Sequence, residues 1–114
     1  MSVKKQGGGS DVGVAEPKTK VKPKLDKPRL FRVLLHNDNY TPMEFVVMVL
    51  QAVFAKSEPD AMTIMLYAHT HGYVVAGVYS REIAETKVEE TMKLAGENNF
   101  PLLCTMEPDE PSQE

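Results

Sequence analysis

The stretch that decides the fold is Leu30-Phe31-Arg32-Val33-Leu34-Leu35, followed after a short polar turn by Thr41-Pro42-Met43-Glu44. The first part is apolar and rich in strand-favouring side chains, so it predicts a strand whose last residues are buried on both faces. In the second part, Thr41 suits a helix cap and Pro42 suits the first helical position. Glu44 is placed to reach back and complete a capping box. The sequence therefore predicts a strand that leads directly into a helix.

Similar signals divide the rest of the core into elements. Ser57-Glu58-Pro59-Asp60 predicts the start of a second helix, and Gly72 is placed to end it. Residues 73–79 are rich in β-branched and aromatic side chains and predict a second strand. Ser80 is predicted to cap a third helix, and residues 102–106 predict a last short strand. The predicted fold is α+β, a small three-stranded antiparallel sheet with three helices in the order β-α-α-β-α-β.

The chain of 114 residues has room for one small domain between two unlike ends. Residues 1–28 are rich in glycine and lysine and show no apolar periodicity, which predicts a disordered N-terminal extension. We expect the folded core to span residues 29–107. Residues 108–114 predict a flexible acidic tail.

Charge and composition exclude several classes of function. Residues 1–29 contain eight Lys/Arg and three Asp/Glu, a formal charge of +5, whereas residues 30–114 contain five and thirteen, a formal charge of −8. Such an acidic core would repel phosphate, so nucleic-acid binding is not predicted. No apolar run reaches the roughly 20 residues that cross a bilayer. The lone Cys104 and the absence of a secretory signal fit the cytoplasm.

Two polar features are candidates for chemistry. Asn37-Asp38-Asn39 is either a turn that satisfies its own backbone or a group of acceptors suited to an ammonium. His69 is either structural or a hydrogen-bonding group for a ligand, and His71 lies on a different helix face, so no shared metal is predicted. Most methionines should pack in the core, although flexible thioethers also line sites that accept several apolar side chains. No catalytic constellation or phosphate-binding loop is present, so neither an enzyme nor a cofactor is predicted.

Four blocks of sequence resemble the ClpS family. The first is Leu35-His36-Asn37-Asp38-Asn39-Tyr40-Thr41-Pro42-Met43-Glu44-Phe45-Val46-Val47, similar to the family signature N-D-x-Y-T-P-M-E-F-V after the first strand. The others are residues 65–69, residues 77–79 running into 84–88, and residues 101–107. Because all four agree in order and spacing, the resemblance covers residues 30–107.

This resemblance implies an adaptor rather than an enzyme. It would bind N-degrons, the N-terminal Leu, Phe, Tyr or Trp of other proteins, and deliver those proteins to a Clp protease. Its partners would be these substrates and the N-terminal domain of a ClpA-type AAA+ unfoldase. Docking on the unfoldase would use Glu82 and Lys87, and the N-terminal extension would engage the unfoldase.

The resemblance also assigns a site, position by position. The substrate's α-amino group would lie among Asn37, Asp38, Asn39 and His69. The side-chain pocket would be lined by Thr41, Met43, Val46, Met65, Ala68 and Leu102. Asn39 stands where many relatives have aspartate, which predicts either weaker ammonium binding or an electrostatic role for Asp38. Ala68 stands where valine is frequent, which predicts a wider pocket.

Two other functions compete with this one. The first is an interaction module of the same fold, similar to the C-terminal domain of the ribosomal stalk protein, that modulates a Clp chaperone or another partner without binding N-degrons. It would not require Asn37 and His69 beside an apolar pocket. The second is a small hydrolase that uses His69 and Asp38, for which the sequence offers no nucleophile in reach.

Overall fold

The structure, a computed structural model, describes residues 28–110 and contains six elements in the predicted order. They are β1 (Leu30–His36), α1 (Met43–Ala52), α2 (Glu58–His71), β2 (Tyr73–Ser80), α3 (Arg81–Glu97) and β3 (Leu103–Pro108). The α+β prediction is confirmed, including the three-stranded antiparallel sheet. Most of the predicted extension and most of the predicted tail, residues 1–27 and 111–114, lie outside the described residues.

The sheet has the order β2-β1-β3, so the first strand is the central one. Its pairing with β2 runs from Leu30 opposite Ser80 to His36 opposite Tyr73, with a register irregularity between Val33 and Leu34. Because a central strand is covered on both edges and packed from the helices, its last residues are buried, as the sequence predicted: Val33, Leu34 and Leu35. Pairing continues past residue 107, since Pro108 lies opposite Phe31 and the Asp109 amide donates to the Leu30 carbonyl at 2.9 Å.

The helices contribute one face each to a single core. The buried side chains of α1 are Phe45, Val47, Val49 and Leu50, and those of α2 are Ala61, Met65 and Ala68. Phe45 meets Phe100, just after α3, edge to face with ring centroids 4.8 Å apart. Among the described residues, no helix is long and apolar enough to cross a membrane.

The start of α1 differs from the predicted capping box. Pro42 occupies the cap position, and no side chain caps the helix there. The Thr41 hydroxyl donates instead to a carboxylate oxygen of Asp38, 2.8 Å away. The α2 signals act as predicted, because the Ser57 hydroxyl accepts from the Asp60 amide at 3.2 Å and Gly72 ends the helix with φ +95°.

Candidate functional site

The loop after β1 is held against the end of α2. The backbone amide of Asn37 donates to the Gly72 carbonyl at 2.8 Å. Gly72 directly follows the last turn of α2, and that turn carries His69. Gly72 makes this possible because its left-handed conformation, rare for residues with a Cβ, ends the helix and turns its carbonyl toward the loop. Polar residues that are 32 positions apart in the sequence are thereby brought to one place.

Asp38 organises this loop. Its Oδ1 accepts from the amides of Tyr40 and Thr41, both at 2.7 Å, and its Oδ2 accepts from the Thr41 hydroxyl at 2.8 Å. Partial burial opposes ionisation, but these three hydrogen bonds outweigh it and hold the pKa of the Asp38 carboxyl below its usual value. The turn therefore presents a fixed negative charge at the start of α1.

A cavity of about 190 Å³ lies between this loop, α1 and α2. All ten residues that the resemblance assigned to the α-amino group and the side-chain pocket line it: Asn37, Asp38, Asn39, Thr41, Met43, Val46, Met65, Ala68, His69 and Leu102. The volume is small beside the roughly 300–1,000 Å³ of sites for drug-sized ligands. It suits a single side chain rather than a whole small molecule.

The lining of the cavity is divided by polarity. The floor of its apolar part is buried, with Leu35, Met65, Ala68 and Leu102 each no more than 5% exposed. Asn37, Asn39 and His69 are exposed. No hydrogen bond found within residues 28–110 uses the side chains of those three exposed residues. The arrangement is an apolar floor with exposed polar side chains at its rim.

Two lining residues were not predicted from the sequence, namely Leu35 and His36. Both follow from the end of β1 running directly into the loop. The His36 ring nitrogen Nε2 lies 2.8 Å from the Thr105 hydroxyl on β3, so this imidazole is held by the sheet. An apolar run that ends beside a polar cluster was the signal in the sequence for their position.

The two histidines of α2 have different surroundings. His69 lines the cavity, whereas the ring of His71 stacks on Tyr67 with centroids 3.9 Å apart. Nδ1 of His71 also lies 3.1 Å from the Tyr67 carbonyl. His71 is thus engaged with its own helix and contributes nothing to the cavity.

The two residues that the resemblance assigned to unfoldase docking are in contrasting situations. Glu82 is exposed in the first turn of α3. Lys87 is half-buried, and its ammonium donates to the Val53 carbonyl at 2.7 Å and lies 5.7 Å from the centre of the Tyr79 ring. Its charge is therefore already used to join α3 to the end of α1.

The chemistry of the cavity is that of recognition. Its polar groups are side-chain amides, imidazoles, the ionised Asp38 and the Thr41 hydroxyl. The carboxylate that accepts from this hydroxyl has a lowered pKa and is therefore a weak base. The single cysteine, Cys104, is buried, and burial raises the pKa of its thiol to about 11. Fold and site together define a small α+β binding domain with one polar-rimmed apolar pocket.

Known proteins share this domain. Residues 26–105 match the family described as ATP-dependent Clp protease adaptor protein ClpS. The adapter protein ClpS of Caulobacter vibrioides (strain NA1000 / CB15N) is 54% identical over 110 residues, 96% of this chain and 100% of that protein. The ClpS of Desulfatibacillum aliphaticivorans is 58% identical over 86 residues, 75% of this chain and 83% of that protein.

A solved structure agrees with these matches. Agrobacterium tumefaciens ClpS2 bound to L-phenylalaninamide has a TM-score of 0.71 and 48% identity, covering 73% of this chain and 100% of that one. The chain therefore belongs to the ClpS family of ATP-dependent Clp protease adaptor proteins. It is an adaptor and not an enzyme.

Proposed function

We propose that this adaptor binds bulky hydrophobic N-terminal residues, namely Leu, Phe, Tyr and Trp, through the free α-amino group and the side chain. The observation that carries the proposal is the composition of one cavity. Asn37, Asp38, Asn39 and His69 line its polar part, and Met65, Ala68 and Leu102 line its apolar part. An N-terminal hydrophobic residue has the same two parts, a charged end and an apolar side chain.

The polar rim accounts for selection of the terminus. An α-ammonium has three donors and a full charge, so moving it out of water requires several acceptors. The amide oxygens of Asn37 and Asn39, the His69 ring and the charge of Asp38 supply them. An internal residue offers one amide donor and a continuing chain, which would leave these groups without partners.

The apolar floor accounts for selection of the side chain. A cavity of about 190 Å³ with a buried apolar floor has room for one large apolar group, whose burial there removes apolar surface from water. L-phenylalaninamide, the ligand of the A. tumefaciens relative, carries a free α-amino group and an aromatic side chain, the two features of an N-terminal residue. That ligand supports the same chemistry here.

A pair of peptides tests the proposal. A fluorescent peptide with N-terminal Leu or Phe should bind, and its N-acetylated twin should not, because acetylation removes the charge and two of the three donors. Fluorescence anisotropy with both peptides is the measurement. Equal affinities would contradict an ammonium site and favour an interaction module that binds no N-degron.

Replacing Asn39 tests which residue supplies the negative charge that binds the α-ammonium group. Replacing it by aspartate adds a second charge beside Asp38, and a charged hydrogen bond is worth about 1.5–3 kcal/mol against roughly 0.5–1.5 kcal/mol for a neutral one. Asn39→Asp should therefore bind the free-amine peptide severalfold more tightly and leave the acetylated peptide unbound. Unchanged affinity, together with severe loss in Asp38→Ala, would assign the charge to Asp38 alone.

Delivery is the second half of the proposed function. We propose that bound proteins pass to the N-terminal domain of a ClpA-type AAA+ unfoldase through a surface that includes Glu82, in the cytoplasm, where a free thiol such as Cys104 is stable. Glu82→Lys should keep its peptide affinity and lose binding to the unfoldase domain. The control is Glu89→Lys, an exposed glutamate elsewhere on α3. Equal unfoldase binding by both variants would remove Glu82 from the interface.

A further inference from the structure

The methionine side chains of the described residues differ in their access to solvent. Four of them are exposed, whereas Met65 is buried; the exposed four are Met43, Met48, Met62 and Met92. Oxidants in solution convert an accessible methionine to its sulfoxide, which makes an apolar side chain polar. Such a change alters binding directly only where the sulfur is accessible and the side chain also lines a binding site.

Met43 meets both conditions. It is 44% exposed, and it lines the pocket beside the loop that carries Asp38. Met65 also lines the pocket but is only 5% exposed. Met48 and Met62 are exposed on α1 and α2, where they line a neighbouring groove instead. Among the described methionines, Met43 alone is therefore both exposed and part of the pocket wall.

We propose that Met43 is a reversible oxidation site that controls N-terminal binding. An oxidant of the peroxide class transfers one oxygen atom to the Met43 sulfur. The S–O bond forms as the O–O bond breaks, so the thioether is oxidised and hydrogen peroxide is reduced to water. A methionine sulfoxide reductase reverses this step, because two thiols are oxidised to a disulfide while the S–O bond breaks and its oxygen leaves as water.

The sulfoxide weakens binding in either orientation of its oxygen. If the oxygen points into the pocket, a bound apolar side chain removes water from it, and the apolar floor supplies no hydrogen bond in return. If the oxygen turns to solvent, Met43 no longer covers the apolar surface of the substrate. The affinity for an N-terminal leucine peptide should therefore fall about tenfold. This inference rests on the proposed function, because the unoxidised pocket must bind an N-terminal residue.

Oxidation of Met43 should leave the fold intact. Met43 is the first residue of α1, and nearly half of its surface is already in contact with water. The added oxygen is therefore hydrated in the free protein, and the stability should hardly change. Oxidation of Met65 would instead place a polar group in the hydrophobic core. Stability thus distinguishes a change at the pocket wall from damage to the core.

The test compares peptide binding before and after oxidation of the full chain. Hydrogen peroxide is applied until peptide mapping by mass spectrometry shows that Met43 is converted and Met65 is not. Fluorescence anisotropy then measures the affinity for an N-terminal leucine peptide, and urea unfolding measures stability. The affinity should fall about tenfold while the unfolding midpoint stays the same. Methionine sulfoxide reductases for both epimers, with dithiothreitol, should restore the affinity.

Two variants assign the effect to one sulfur atom. Met43→Leu retains an apolar side chain of similar size but has no sulfur, so its affinity should be the same before and after treatment, whatever its starting value. The matched control combines Met48→Leu, Met62→Leu and Met92→Leu, which leaves Met43 as the exposed methionine of the described residues. This control should lose as much affinity on treatment as the unaltered protein does.

The outcomes separate this inference from the proposed function. Unchanged or tighter binding after complete conversion of Met43 would overturn the inference and leave N-terminal binding intact. An equal loss in Met43→Leu would also overturn it, because another residue would then be responsible. So would a lowered unfolding midpoint, or a loss of affinity that the reductases do not restore. Failure of the untreated protein to bind the leucine peptide would overturn the proposed function and this inference with it.

Discussion

The Thr41 hydroxyl donates to Asp38 Oδ2 over 2.8 Å, and the Thr41 amide donates to Oδ1 of the same carboxylate over 2.7 Å. One residue therefore holds both oxygens of the acid, immediately before α1 begins. Because both residues also line the pocket, the contact that shapes the loop fixes the direction of the negative charge at the pocket rim. Folding of the turn and preorganisation of the site depend on the same hydrogen bonds.

Removing the Thr41 hydroxyl should weaken both binding and the fold. Thr41→Val keeps the shape and the backbone donor, so the cost in unfolding free energy should be about 1 kcal/mol, the usual value for one hydrogen bond. The Asp38 carboxylate would then rotate more freely, and affinity for an N-terminal leucine peptide should fall severalfold. Urea unfolding and fluorescence anisotropy measure the two effects. Thr86→Val is the control, because that hydroxyl bonds only a carbonyl of its own helix.

Acidification should weaken the fold through Asp38. Its pKa lies below the ordinary 3.8, so the ionised form stabilises the folded protein above that value, and this contribution is lost as the pH falls through the lowered pKa. Urea unfolding at pH 6 and pH 3 should therefore show a smaller difference for Asp38→Asn than for the unaltered protein. Glu89→Gln, on the exposed face of α3, should keep the full difference. An equal difference in all three proteins would show that the turn contributes no linked stability.

Local signals in the sequence predicted the elements well, because strands, helix starts and the Gly72 stop depend on a few neighbouring residues. They failed at Thr41, where the hydroxyl accepts from no helix amide and donates instead to Asp38, an arrangement that only the folded loop decides. The residues of the pocket were found through the resemblance, not through spacing. The end of β1 places His36 beside the loop, but its ring is held by the Thr105 hydroxyl, 69 positions away on another strand, a contact that no local pattern predicts.

Long-range contacts of charged side chains also could not be predicted from the sequence. Lys87 has the pattern of an ordinary solvated helix residue, and its bond to the Val53 carbonyl spans 34 positions. Nothing local distinguishes it from Lys93, which is exposed on the same helix. Such contacts are set by how α3 packs near the end of α1. Local helix and strand propensities do not predict that packing.

Shortening Met43 should relax the selection of side chains. Met43 starts α1, is 44% exposed and lines the cavity beside the acceptor cluster, which places it at the pocket entrance. Met43→Ala should therefore raise the affinity for N-terminal Ile or Val relative to Leu, because β-branched side chains need more room near the backbone. Competition titrations with peptides that differ only in the first residue measure the ratio. An unchanged ratio of Leu to Ile affinity would show that another residue controls entry.

Lys87 should stabilise the folded protein by binding the carbonyl group at the end of α1. Its ammonium donates to the Val53 carbonyl at 2.7 Å, one of the carbonyls that a helix end leaves without an amide partner, and a cation there also complements the helix dipole. Lys87→Met keeps the aliphatic stem beside Tyr79 and removes only the charge and the donors. The free energy of unfolding should fall by about 1 kcal/mol, less than for a fully buried charged bond because the group is partly solvated.

Lys93→Met is the matched control for the Lys87 prediction. Lys93 lies on the same helix, is exposed and makes no hydrogen bond found within residues 28–110, so its replacement should leave the unfolding free energy nearly unchanged. If Lys87 also contacted an unfoldase, Lys87→Met would weaken that binding beyond what its stability loss explains. Binding is therefore measured well below the unfolding transition, where both variants are fully folded. Equal stabilities for the two variants would mean that the Lys87–Val53 contact contributes nothing, and Lys87 would then be free to serve a partner.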